Sequence, residues 1–342
     1  MHGSLRDDDI ARGLARVDPL TLRPRTSSRV LCIVLAMLLF VAAAGVWWLG
    51  VRTENGQAYE DMVETTFNDN VPGWLAGFMG LITRVGVVRV GVAWDGHHLL
   101  VLVVSLLIGG IGLAVAVVRR RWWLVGQLAV FSALCYAATG LKRVLSRPFI
   151  INTMGGHENS APSGHTILAA AAGMVLLLAV PRVWRAVAAV IACAWTLVVG
   201  LSVISGKWHR PADVAMSILL VGGIALLVLA FSRTSGMDRP GLRASSAGVQ
   251  IVGSVMVTGG LLCLAYGAYV VWQVIPGLSM SMAWAQPGAV GSAVVGICGV
   301  ALLGTGLTLV MRQLTASPLT RLGLVGAPPA PPAAGRDSRG IA

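Results

Sequence analysis

Charge is scarce in this chain. Of its 342 residues only 12% are Asp, Glu, Lys or Arg, and 14 of them are acidic. Soluble domains carry about twice that charged share, so composition already argues against a water-soluble globular class. Cysteine offers no pattern either: Cys32, Cys135, Cys193, Cys263 and Cys298 all fall inside apolar runs, without CxxC or Cys/His metal spacing. No metal and no other cofactor is expected. Also missing is a basic face interleaved with aromatics. The formal charge of +12 comes from clusters between apolar runs, so nucleic acid is not an expected partner. A usual signal peptide is lacking, because Asp7, Asp8 and Asp9 precede a first apolar run longer than an h-region. Internal repeats are absent as well.

What the chain has is apolar length. Hydrophobic residues make up 56% of it, gathered in runs about as long as a bilayer is thick. The expected fold is an all-α integral membrane protein with eight crossings, near 30–51, 99–118, 122–141, 165–180, 186–204, 212–231, 250–275 and 288–311. The stretch 72–94 is long enough to cross, but Arg84, Arg89 and five glycines interrupt it. It reads as re-entrant or interfacial.

Basic residues cluster at alternate loops: Arg23, Arg25 and Arg29; Arg119 to Arg121; Arg182 and Arg185; Arg233, Arg239 and Arg243; Arg312 and Arg321. Such loops face the cytoplasm, which places both termini there and Glu54, Glu60, Asp61, Glu64 and Asp69 outside. The organisation expected is a cytoplasmic basic tail (1–29), a membrane core (30–232) with its motifs at 142–213, a linker (233–249), two additional spans (250–311) and a disordered cytoplasmic tail (312–342).

Three stretches fall on the outer side: "LKRVLSRPFI" from Leu141, "HENSAPSGHT" from His157, and "SVISGKWHRPAD" from Ser202. Titratable groups at membrane depth are costly unless they pair or line a wet cavity, so this concentration suggests a site. A helix opening after "PSG" has orphan N–H groups, and Ser163 can cap it, which makes an anion cradle beside Gly164 and His165. Pro211 suits the first turn of a second helix, with Asp213 in that turn and His209 just before it. Lys142 and Arg147 bring positive charge to the same pocket. Two histidines can divide phosphoester hydrolysis between nucleophile and general acid, and Asp213 is spaced to hold the His209 imidazole. His157 and Glu158 read as a solvated loop.

Taken together, "LKRVLSRP", "PSGHT" and "WHRPAD" resemble, in order, the motifs of the type-2 phosphatidic acid phosphatase family. The resemblance runs from about Trp74 to Phe231. It implies a six-helix phosphatase core and a metal-independent reaction through a phosphohistidine. By the same resemblance His209 is the nucleophile, Asp213 its partner and His165 the general acid, with Ser163, Gly164 and Lys142 on the phosphate. Two positions depart from the pattern: Phe149 and Val203 stand where the family has arginines. Arg147 is a substitute for the first, and Lys207 and Arg210 can supply the missing charge.

The implied substrate is a lipid phosphate in the bilayer, such as phosphatidic acid, phosphatidylglycerophosphate, or a polyprenyl phosphate or diphosphate. A non-catalytic lipid-phosphate binder or scaffold on the same fold is the alternative that the two departures motivate. A transporter is a lesser one, since the span midplanes carry few polar groups.

Overall fold

The computed structural model describes residues 24, 26–84, 96–152, 158–233 and 246–316. Expectations that rest on both tails, on the linker 234–245, or on Arg89 and His157 lie outside the described residues. Ten α-helices and no strand occur among the described residues: α1 (Thr26–Val51), α2 (Glu54–Asn70), α3 (Gly73–Arg84), α4 (Gly96–Val118), α5 (Trp122–Thr139), α6 (Gly164–Ala179), α7 (Arg185–Ser205), α8 (Pro211–Leu229), α9 (Ala247–Leu278) and α10 (Gln286–Ala316).

Seven of these, α1, α4, α5, α7, α8, α9 and α10, are long and apolar enough to cross a bilayer. The eighth expected span, α6, has 16 residues, or about 24 Å of rise against about 30 Å of hydrocarbon. Twelve of its residues are buried, so most of its length meets other helices rather than lipid. The peripheral helices show the opposite. Leu38 and Val41 of α1, Leu106 and Leu107 of α4, and Leu262 and Trp272 of α9 are all exposed. Apolar stripes of that extent are liabilities in water and ordinary against acyl chains. The chain is an all-α multi-pass membrane protein.

α8 is the axis of the bundle. In its most apolar 18-residue stretch 83% is buried, against 22% for α1, α4 and α9, and α1, α5, α6 and α10 all pack on it. The last two helices differ from each other. α9 leans chiefly on α10, whereas α10 enters the core and lies against α8, α7 and α2. α10 runs to Ala316, past the expected boundary at 311. Arg312, expected as a loop charge, is 1% exposed and donates Nε to Leu178 O at 3.1 Å.

Helix ends alternate between the two ends of the bundle. At one end Arg29 Nε reaches Ala230 O, Arg119 reaches Ala179 O, and Gln127 reaches Val228 O. At the other end α1 stops and α2 begins, α6 and α8 start, and α7 finishes.

α2 is polar and docks at that second end through a tight corner. Thr53 caps it, accepting from Gly56 N at 3.0 Å. A Cβ on Gly56 would sit 1.8 Å from Leu49 O, so only glycine lets α2 fold back there. Of the stretch 72–94, the described part is α3. Its 12 residues rise about 18 Å, too little to cross, and it packs on α7 and α4.

Candidate active site

The site is built where three helix ends meet. α7 terminates in a turn that reverses the chain: Gly206 N donates to Ser202 O, Lys207 N to Ile204 O, and both Trp208 N and His209 N to Val203 O. Lys207 takes φ 59° to make this turn, a left-handed conformation that costs a non-glycine residue about 1–2 kcal/mol. The reversal leads directly into Pro211, the first residue of α8. Asp213 lies in the first turn, 1% exposed, and its Oδ2 accepts from three donors: His209 Nδ1 at 3.2 Å, Arg210 N at 3.1 Å, and Ser160 Oγ. With Nδ1 held by a carboxylate, Nε2 is the ring nitrogen left available for other chemistry.

α6 begins beside α8. Ser163 caps α6, accepting from Thr166 N at 3.4 Å. The two starts are tied together: Ser163 N donates to Asp213 O at 3.3 Å, and Ser217 Oγ donates to Ser163 O at 3.1 Å. Two positive dipole ends therefore converge, as the sequence suggested. A Cβ added to Gly164 would meet nothing within 4 Å, so the helix start faces open space, as an anion cradle requires. The imidazoles of His165 and His209 stand 6.3 Å apart by ring centroids at 62°, and Trp208 packs on His165 at 5.5 Å.

Cations surround this centre unequally. Arg210 is 5% exposed, pairs through Nε with Glu64 Oε2 at 3.0 Å, and donates to Ser160 Oγ at 3.4 Å. Arg147 is half-buried and within electrostatic reach of Arg210, Glu60, Asp213 and Glu64. Its guanidinium pKa is lowered, first by burial and then by the Arg210 charge. Lys142 is near enough to feel Asp213.

A cavity of about 570 Å³ opens beside His209, lined by Glu64, Glu158, Ser160, Lys207, Trp208, His209 and Arg210. Glu158, read from sequence as loop surface, is exposed and on the cavity wall. Neither departure position supplies charge. Val203 is 1% exposed in the core and Phe149 is 70% exposed.

Sequence reasoning did not single out Ser160, Trp208, Gln57, Glu60 or Glu64 as part of the site. Ser160 joins Arg210 to Asp213. Gln57 Nε2 braces the Arg147 loop by donating to Pro148 O at 2.8 Å. Glu60 Oε1 accepts from Ala212 N at 2.8 Å. The only sequence signal for the α2 residues was the spacing of Glu60 and Glu64, four apart and so on one helical face.

A second, apolar cavity of about 740 Å³ lies between α4, α5 and α6. It runs from Gly164 and Thr139 near the site, past Gly110 and Ala171, to Val175.

The family model of the PAP2 superfamily matches residues 120–237. No curated protein and no solved structure matches the chain. Members of that superfamily are generally phosphatases. The matched stretch holds His165, His209 and Asp213, and all three motif stretches fall within it. The α2 residues lie outside the match.

Proposed function

We propose that this PAP2-superfamily membrane protein hydrolyses a lipid phosphomonoester or diphosphate at the outer face of the cytoplasmic membrane, through a phosphohistidine on His209. The observation that carries this reading is the His209 Nδ1 to Asp213 Oδ2 bond at 3.2 Å with His165 across from it at 6.3 Å.

Asp213 fixes the tautomer and favours the imidazolium-like state that forms on attack. His209 Nε2 gives its electron pair to phosphorus as the P–O bond to the lipid breaks, and His165 donates a proton to the departing oxygen. Water then attacks phosphorus. The P–N bond breaks, His165 takes the proton from that water, and inorganic phosphate leaves. Ser163, Gly164 and the α6 amide dipoles hold the phosphate oxygens, with Lys142, Arg147, Lys207 and Arg210 spreading positive charge around them. Arg210 and Lys207 take the duty that Val203 cannot.

The lipid reading rests on the apolar cavity, which reaches Gly164 from between membrane-spanning helices. It suits a chain that stays in hydrocarbon while its phosphate reaches the polar pocket. The basic loops at the opposite end of the bundle support a cytoplasmic placement of that end and of both termini.

Phosphate release from purified protein, across a panel of phosphatidic acid, phosphatidylglycerophosphate and polyprenyl phosphates with chelator present, tests the proposal. His209→Ala is the control. Release by the wild type and none by the variant supports it. Tight binding of these lipids without release, by both proteins, would replace it with a lipid-phosphate binder.

A further inference from the structure

We propose that Glu60 is a positioning residue of this site: its carboxyl, through the Ala212 N–H, sets where the first turn of α8 stands, and with it Asp213 and His209. The inference rests on the hydrolase reading above, because the geometry it protects is that of the nucleophile.

Four observations carry it. First, the contact is direct and adjacent to the chemistry: Glu60 Oε1 accepts from Ala212 N at 2.8 Å, and Ala212 precedes Asp213. The N–H groups of a helix's first turn have no intrahelical partner, so a side-chain acceptor here replaces water as the group that fixes the turn.

Second, the carboxyl is buried at a place where burial is costly. Glu60 is 1% exposed, and its Oε2 is enclosed without a hydrogen-bond partner. Burying an unpaired carboxylate is strongly unfavourable, which a role in packing alone does not warrant. Burial first, then the nearby Asp213 charge, pushes the Glu60 pKa up to about 8. In its neutral form Glu60 remains an acceptor for Ala212 and adds no second negative charge beside Asp213.

Third, α2 is held on both sides of Glu60. Tyr59 donates to Ala289 O at 3.1 Å, Gln57 donates to Pro148 O, and Glu64 takes Arg210. One helix thus binds the loop carrying Arg147, the start of α8 and the side of α10.

Fourth, α1 leaves room for the contact. A Cβ on Gly50 would stand 2.7 Å from Ala212 Cβ and 3.3 Å from Glu60 Oε1, so glycine is needed where α1, α2 and α8 meet.

The test measures kcat, KM and orthovanadate affinity for Glu60→Ala, Glu60→Gln and Gly50→Ala in detergent, beside a thermal melt of each. Orthovanadate takes the geometry of the transferring phosphoryl group, so its affinity follows the alignment of His209. A small misplacement of a reacting group lowers turnover by about 10²-fold. Glu60→Ala is therefore expected to lose roughly 10- to 100-fold in kcat, with KM within about threefold, and to bind vanadate correspondingly more weakly.

Glu60→Gln keeps a neutral acceptor and should recover most of both losses, which a purely structural role would not require. Gly50→Ala should lower kcat by pressing on the same contact, and it keeps the test alive if Glu60→Ala does not fold. Wild-type turnover in folded Glu60→Ala overturns the inference, as does an equal fall in the Ala and Gln variants. A wild type that binds vanadate but releases no phosphate sinks the hydrolase reading instead, and leaves Glu60 to be judged on vanadate affinity.

Discussion

The two ends of the bundle answer the same backbone problem with opposite chemistry. Every helix ends in orphan groups: N–H at its start, C=O at its finish. At the end where α6 and α8 finish, the carbonyls of Leu178, Ala179 and Ala230 collect guanidinium donors from Arg312, Arg119 and Arg29. These donors are cations at the negative end of a dipole, and they stabilise it without any further task. At the end where the same two helices start, the amides collect Ser163, Asp213 and Glu60. Acceptors and anions belong there, and the open space beside Gly164 is where the proposed function places a phosphate. One rule, read with opposite sign, gives a lock at one end and the proposed reaction site at the other.

If that contrast is right, substitutions at the start of α6 and α8 change turnover, and substitutions at their finish change stability. The largest expected effect is His209→Ala. Removing the proposed covalent nucleophile should cost on the order of 10⁴-fold or more in phosphate release, with the melting temperature near that of the wild type. Asp213→Asn comes next. It keeps the shape but offers the wrong partner to Nδ1–H, and should lose about 10²- to 10⁴-fold in kcat at similar KM. A small loss would mean that the carboxylate only caps α8.

Arg312→Met tests the other end. It leaves Leu178 O without its buried donor, a loss of about 1–3 kcal/mol, read as a lower melting temperature with unchanged kcat per folded molecule. A fall in kcat there would break the division between the two ends.

The smallest effect concerns pH. Because the folded-state pKa of Glu60 is raised from 4.5 to about 8, the folded protein binds a proton that the unfolded chain releases across that window. Its contribution to stability is complete below about 4.5 and is lost as pH rises towards 8. The melting temperature of the wild type should therefore fall more steeply across this range than that of Glu60→Gln. Equal slopes would show that Glu60 carries an ordinary carboxylate.

Legibility differed between the fold and the site for physical reasons. The spans were readable because each is a local property, an apolar run of sufficient length. α6, at 16 residues, is the shortest of the expected spans. The motif residues of the site were readable because a helix start, its cap and its first turn lie within a few residues of one another. Ser163, His165, His209 and Asp213 announce themselves this way. Glu60 and Glu64 do not, since their partners Ala212 and Arg210 are 152 and 146 residues away. From sequence they were acids four apart on the same side of the membrane. Arg312 was misjudged for a related reason: a basic residue at the end of an apolar run looks like a loop charge until α10 is seen to pass through the core.

The sequence by itself determined that this is a membrane helical bundle, and which short stretches bear imidazole, carboxylate and helix-start amides, because apolar length and capping are encoded within one or two turns. Only the tertiary structure decided that α2 closes over those stretches, that Arg210 is buried while Lys207 is exposed, and that α10 belongs to the core. Those outcomes depend on which distant surfaces fit, a property of the packed whole that no local window contains.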